Sequence, residues 1–320
     1  MTREKKMQDK IGSSVLDAMR LLLRDRLNKE QVIIEGLHFY CEVLEQPHKF
    51  QEVYDLLADD ESQRTLTWLI KYRVACFMLQ SKEKARELFP PAISSSRWRE
   101  MSRKAQNLPE TILEENLDID LIENFLLDGY NLPGVCGVEA GDVILDLGAF
   151  NGNSSIALSR PAGDEGKVYA FEPNPVMQEI LARNLTKMNC TNVEIIPRGA
   201  GEASNVLKFT IKGAASRFDP FGDVDVQIGT VDDFVAERGL SKVDFIKLDV
   251  EGFEMPALRG ATSTIRTFRP KLAISVYHLH YDVHMITLFI RDICPWYRFY
   301  LRHNDIIDGE IVLFCQPVHR

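Results

Sequence analysis

From about residue 138 onward, short apolar runs alternate with stretches of helical period, and no other feature limits the fold as much. The runs are VILDLG (143–148), KVYAFE (167–172), NVEIIP (192–197), VDFIKLD (243–249) and KLAISVY (271–277). Nearly continuous apolar runs of this length suit strands covered on both faces, as in a parallel sheet clothed by helices. Between and after them, NSSIALSR, NPVMQEILARNLTKM, VDDFVAER, FEMPALRG and DVHMITLFIRDI read as helices. Thr230 followed by Asp233 marks a helix start and Gly239 a stop. The last two runs, YRFYLR (297–302) and EIVLFCQ (310–316), flank HNDIIDG and predict a long hairpin. The expectation is an α/β fold, a Rossmann-like seven-stranded sheet that closes on an antiparallel C-terminal hairpin.

The first 115 residues have a different rhythm. In SVLDAMRLLLRDRL, Val15, Leu16, Met19, Leu22, Leu23 and Leu27 recur at helical spacing, with Ser14 and Asp17 as a cap. KEQVIIEGLHFYCEVLEQ and SQRTLTWLIKYRVACFML have similar apolar faces, and Pro90-Pro91 punctuates the region. A chain of 320 residues has room for two units. The reading is a helical N-terminal domain over 1–115 and an α/β domain over 116–320. The helical unit could pair two copies into a homodimer or wall a pocket for the acceptor. No apolar stretch approaches the roughly 18 residues of a membrane span, so no membrane partner is expected. MTREKKMQDK has no apolar segment behind it and does not read as a signal peptide. The six cysteines include no CxxC pair, which fits reduced thiols and a cytoplasmic location. The net charge is −9 with no long basic run, so the footprint of a nucleic-acid partner is missing.

GDVILDLGAFNGNSSIAL is the most informative segment. Gly148 and Gly152 would let the backbone turn tightly and approach a ligand, and Asn153, Ser154 and Ser155 would open the helix. A structural turn explains two glycines as well. The carboxylate of Asp146 separates the two readings. An NAD-binding loop reads GxGxxG, whereas this one reads DxGxxxG, with an acid two residues before the first glycine. A carboxylate repels a pyrophosphate and attracts an ammonium group. The loop therefore suits a cofactor with a cationic amino-acid end, such as S-adenosylmethionine. Glu172 ends the next strand, before Pro173 and Asn174, where an acid can accept both ribose hydroxyls; it could equally cap the following helix. Ala200-Gly201, after the third strand, would lie near an adenine.

DLGAFNGNSS, FEPNP, VDDF, VDFIKLDVEGFEMPALRGA and KLAISVYH, in that order, resemble the FkbM family of S-adenosylmethionine-dependent methyltransferases over about residues 118–316. The resemblance implies a class I methyltransferase fold and O-methylation of a sugar or natural-product hydroxyl. It implies cofactor contacts at Asp146, Gly148, Asn151, Gly152, Ser154, Glu172, Pro173, Ala200 and Asp249. Many members carry Ala-Asn-x-Gly where this chain has Ala149-Phe150-Asn151-Gly152, so the asparagine is shifted by one place. Residues 1–115 lie outside the resemblance.

Methyl transfer needs the acceptor oxygen aligned with the methyl carbon and a base for the hydroxyl proton. His278, just past KLAISVY, is the first candidate for the base; it could also be a structural histidine bonded to a neighbouring loop. His280 and His284 compete with it and are expected to be exposed. Asp249 could bind the ammonium group or position the acceptor. Glu251 could orient His278 or act as the base itself. Glu254 fits the first turn of the next helix. Asp249, Glu251 and His278 could also hold a divalent metal, although nothing in the spacing demands one and no metal is expected. Tyr130 could close over the cofactor or merely pack. Arg217, Phe218 and Asp219 could face the acceptor or form a surface turn. Trp68, Trp98 and Trp296 read as core or interface. The rival functions are an NAD-dependent oxidoreductase, which the DxGxxxG loop opposes, and a non-catalytic cofactor-binding or interaction module.

Overall fold

The structure is a computed structural model that describes residues 36–210, 217–218, 222 and 224–318. The helix expected over residues 14–27 lies outside them, as does Asp219. On the N-terminal side come helices α1 (36–45), α2 (Pro47–Leu56), α3 (Asp60–Leu79), α4 (Lys82–Leu88), α5 (Ser95–Ala105) and α6 (Asp118–Phe125). Asp59 caps α3 by accepting a hydrogen bond from the Ser62 amide, and Pro90-Pro91 falls between α4 and α5.

The α/β part follows as β1 (Val143–Leu147), α7 (Asn153–Ala162), β2 (Lys167–Phe171), α8 (Pro175–Lys187), β3 (Val193–Ile196), β4 (Gly199–Ala200), β5 (Asn205–Thr210), β6 (Arg217–Phe218) and β7 (Val224–Gly229). It continues as α9 (Val231–Arg238), β8 (Phe245–Leu248), α10 (Glu254–Arg259), α11 (Thr262–Phe268), β9 (Lys271–Ser275), α12 (Asp282–Ile293), β10 (Tyr297–His303) and β11 (Ile311–Pro317). The seven-stranded sheet has the order β10-β11-β9-β8-β1-β2-β3. Strands β3, β2, β1, β8 and β9 are parallel, β11 is antiparallel to β9, and β10 is antiparallel to β11. This is the expected class I methyltransferase-like sheet with its reversed C-terminal hairpin. The caps behave as the residue types require: Thr230 accepts from the Asp233 amide, and Gly239 ends α9 in the left-handed region.

Strand alternation divides the core. Leu145, Leu147, Ile246, Leu248 and Ile274 face one side and pack with α9 to α12. Ile144, Val168, Phe245 and Phe314 face the other, with Leu158 of α7 and Tyr130. Phe50, Val53, Leu66 and Leu69 from α2 and α3 join the first of these cores, alongside Ile286, Phe299 and Leu301. The N-terminal helices thus share the core of the sheet at its β10 edge.

A second sheet, β4-β7-β5-β6, was not expected from the sequence. Its strands are short, and β5 alternates too weakly to stand out: NVLKFT buries only Phe209. Residues 217–218 pair as a backbone strand with β5.

Candidate active site

Strand order turns at β1, where chains leave toward β2 on one side and β8 on the other. In open α/β sheets a crevice forms outside the carboxyl ends of such strands. Here a cleft of about 1070 Å³, open mouth included, runs across the ends of β2, β1 and β8. One end is bordered by Glu172, Asn174, Met177, Ala200 and Phe209; the other by Asp249, Glu251, Glu310, Glu123 and Tyr277.

Asp146 does not line this cleft. It is fully buried behind the loop, and Lys247 stands beside it in register on β8. The Lys247 Nζ is 3.1 Å from Asp146 Oδ1, and the Ser154 and Ser155 hydroxyls donate to Oδ2 at 2.8 and 2.5 Å. Its charge is therefore met by its own chain, which corrects the expectation that it faces a cofactor ammonium group. Burial works against the charge of Lys247, but Asp146 and Asp249 overcome it and hold the amine above its ordinary value. Lys247 also donates to the Gly148 carbonyl at 2.6 Å and lies over the Tyr130 ring.

Gly148 has φ +90, and a Cβ there would stand 1.8 Å from the Asp249 carbonyl oxygen. Gly152 has φ +96, with Leu181 where its Cβ would be. Both glycines are required by neighbouring protein rather than by a ligand. Asn151 uses its amide on the Glu115 carbonyl (2.8 Å) and accepts from the Asn153 amide. It pins the loop to the segment before α6.

Glu172 is placed as expected at the end of β2. It accepts from the Phe150 amide (2.9 Å) and the Asn174 amide (2.7 Å). Burial dominates its titration and raises it to about 7, against those two hydrogen bonds. Asn174 spends its side-chain oxygen capping α8. Its buried Nδ2 finds no partner among the described residues. Pro173 and Ala200 line the cleft beside them.

The carboxylates after β8 converge on His278. Its Nδ1 is 3.0 Å from Glu254 Oε1, and its Nε2 is 3.4 Å from Asp249 Oδ1 and 3.7 Å from Glu251 Oε2. Burial alone would lower the imidazole, but Glu254, Asp249 and Glu251 push it up to about 10. Three carboxylates around the ring thus favour its protonated form over the neutral imidazole that the expected role as base requires. Burial and the neighbouring Asp249 raise Glu251 to about 7, despite His278. Glu254 starts α10 as expected; it also accepts from the Val250 and Gly252 amides. Asp249 stays below the usual carboxylate range: burial opposes this, but Lys247 and His278 prevail. It accepts from the Tyr130 hydroxyl at 2.6 Å. One ligand atom each from Asp249, Glu254 and His278 lie within 4.8 Å of one another, a set that could also receive a cation.

His280 is half-buried, and His284 is fully buried, 2.9 Å from Glu42 at the contact of α12 with the N-terminal helices. The apolar face of α12 carries His284 inward, so its expected exposure is corrected.

Sequence reasoning missed Lys247, Glu123 and Glu310. Lys247 had a signal: a cation in the middle of an otherwise apolar strand. Glu123 stands among Leu121, Ile122 and Phe125 on α6, an acid on an apolar face. Burial, and then Glu310 and Asp120, hold it well above the usual range. Glu310 had no signal. It precedes β11, accepts from the Tyr277 hydroxyl at 2.7 Å, and is raised to about 8 by burial and Asp249.

Residues 146–300 match a family model described as the methyltransferase FkbM domain. The chain is 25% identical to methyltransferase sdnD of Sordaria araneosa, across 39% of this chain and 62% of that protein. It is 27% identical to hexuronic acid methyltransferase AglP of Haloferax volcanii, across 40% and 54%. It therefore spans between half and two thirds of these curated relatives. The crystal structure of methyltransferase FkbM from Methylobacillus flagellatus KT aligns with a TM-score of 0.60 at 23% identity, over 86% of this chain and 60% of that one. Among the described residues no helix is long and apolar enough to cross a membrane.

Proposed function

We propose that this chain, whose residues 146–300 match the FkbM methyltransferase domain, methylates a hydroxyl of a sugar or natural product with S-adenosylmethionine as donor. The observation that carries this is the polarity of the cleft at the switch point. One end offers a ribose-binding acid beside apolar side chains, and the other is crowded with carboxylates. Glu172 accepts ribose hydroxyls, with the unpartnered Asn174 amide close by, and Met177, Ala200 and Phe209 flank the base. Asp249, ionised, answers the cationic amino-acid end, with the Glu310 carboxyl beside it. The donor set fits this cofactor better than a dinucleotide, whose pyrophosphate would meet acids. When bound, S-adenosylmethionine supplies a sulfonium methyl whose carbon bonds to the acceptor oxygen as its bond to sulfur breaks.

Glu251 is the proton acceptor in this reading. It lines the cleft, is partly exposed, and has a carboxyl near neutrality, where a base is both free and strong enough. His278 is a positioning residue: its imidazolium keeps Asp249 and Glu251 in place and tempers their repulsion. The sugar as acceptor class draws support from the hexuronic acid methyltransferase among the relatives.

The test is a melting-temperature series with S-adenosylmethionine, S-adenosylhomocysteine and NAD. A ligand at 100 times its Kd stabilises by about 2.7 kcal/mol. Stabilisation by the first two and not by NAD is expected. A shift with NAD alone, or with none of the three, would sink the reading.

A further inference from the structure

Behind the segment that follows β9 lies a second cavity, of about 1340 Å³, open mouth included. Tyr277 borders both this cavity and the cleft and so stands between them, and His278 lines this cavity. The two sides differ in charge. The cleft side carries the carboxyl groups of Asp249, Glu251, Glu310 and Glu123, with Asp249 held ionised and the other three raised by burial and by neighbouring acids. The far side carries Arg73 of α3, Lys82 of α4, His38 of α1, His278 and His280, with Asp308 as the one acid among its described lining residues.

Arg73 is nearly buried. Its Nη2 donates to the Tyr277 carbonyl at 2.7 Å, and its Nε is 3.3 Å from Asp308 Oδ2. Lys82 Nζ lies 3.1 Å from the other oxygen of the same carboxylate. Among the described residues that line the cavity two permanent cations therefore share one carboxylate; Asp282 acts on Arg73 and Asp305 on Lys82 from outside the lining, and burial raises both acids above the usual carboxylate range. An arginine that merely tethered α3 to Tyr277 would need a single acid. The second cation makes this a wall suited to an anion, in a chain whose net charge is −9. His38 and His280, with ring centroids 5.3 Å apart, add polar edges suited to hydroxyl groups.

We propose that this cavity holds the acceptor, and that the acceptor is a sugar-sized molecule with an anionic group, carboxylate or phosphate, held by Arg73 and Lys82. Its reacting hydroxyl then reaches past His278 toward Glu251. The inference rests on the methyltransferase reading and gives the N-terminal helices a task, since α1, α3 and α4 supply one wall. A cationic methyl donor on the acidic side and an anionic acceptor on the basic side also match the division of charge.

The experiment is calorimetric titration of the protein saturated with S-adenosylhomocysteine. The probes are methyl glucoside, methyl glucuronoside and glucose 6-phosphate. At least one anion should bind about tenfold or more tighter than the neutral glycoside, a difference of about 1.4 kcal/mol. Which anion binds identifies carboxylate or phosphate. Arg73→Gln and, independently, the more exposed Lys82→Gln should each remove most of that preference while leaving S-adenosylhomocysteine affinity unchanged. Equal binding of the neutral glycoside, no binding of either anion, or a preference that survives both substitutions overturns the inference. Failure of S-adenosylhomocysteine itself to bind overturns the underlying reading instead.

Discussion

Replacing Lys247 with methionine isolates the interaction that supports the glycine loop. The lysine side chain is 2% exposed and Asp146 is 0% exposed. Methionine fills most of the volume of the stem but leaves Asp146 with two serine hydroxyls and no cation. Breaking a buried pair by removing one partner costs about 3–5 kcal/mol, because the remaining charge stays desolvated. At about 2–4 °C per kcal/mol for a protein of this class, the melting temperature should fall by about 6–20 °C. Urea denaturation at neutral pH measures the loss directly, provided the slope is unchanged. Asp146→Asn can still accept hydrogen bonds from Ser154 and Ser155 and removes the charge. The double variant should therefore cost at least about 2 kcal/mol less than the sum of the singles, the mark of contacting residues. A Lys247→Met loss below about 1 kcal/mol, or singles that simply add, would refute the assignment of Lys247 as the counter-charge of Asp146.

Other outcomes follow from the same geometry. Gly148→Ala must move a Cβ off the Asp249 carbonyl at a positive φ, so it should lower stability by several kcal/mol; a melting temperature within two or three degrees of the parent would contradict the contact. Glu251→Gln should reduce methyl transfer by about 10²–10⁴-fold with S-adenosylhomocysteine affinity unchanged, and the rise of rate through pH 7 should vanish with it. His278 is raised from 6.5 to about 10 in the folded chain. The stability this contributes is complete below pH 6.5 and is lost as pH rises through about 10, at up to about 1.4 kcal/mol per pH unit. Denaturation at pH 7 and pH 10 should therefore show a steeper loss for the parent than for His278→Gln, and parallel losses would count against the imidazolium.

The strands of the main sheet were legible because burial on both faces leaves a continuous apolar signature that few other elements share. Seven runs read from the sequence fall on the seven strands, to within a residue or two at each end. Helices α2, α4, α5, α6 and α11 were not read. They are short, and tertiary packing rather than periodicity holds them. The site was legible in position and less so in role. Sequence order carries Asp146, Glu172 and Asp249 to strand ends, but it does not say which way a strand-end side chain points. Asp146 has Lys247 as its neighbour because β1 and β8 pair in that register, and only the pairing reveals it.

That register also accounts for the carboxylate cluster after β8. Gly148 permits the Asp249 backbone to lie directly against the loop after β1, and this brings Asp249, Glu251 and Glu254 together at one turn. Glu251 sits there at φ +54, a conformation that bulky residues rarely adopt. Three acids so close would repel one another unless cations intervened. Lys247 enters from beneath on the strand and His278 from the neighbouring β9 end, each beside Asp249. Together they hold Asp249 ionised while leaving Glu251, on the cleft side, near neutrality. Separating two carboxylates in proton affinity by unequal access to cations is how one turn can supply both a fixed negative charge and a proton acceptor. A strand ending in clustered acids is therefore tolerable here because the same segment, IKLDVEGFE, carries its own lysine.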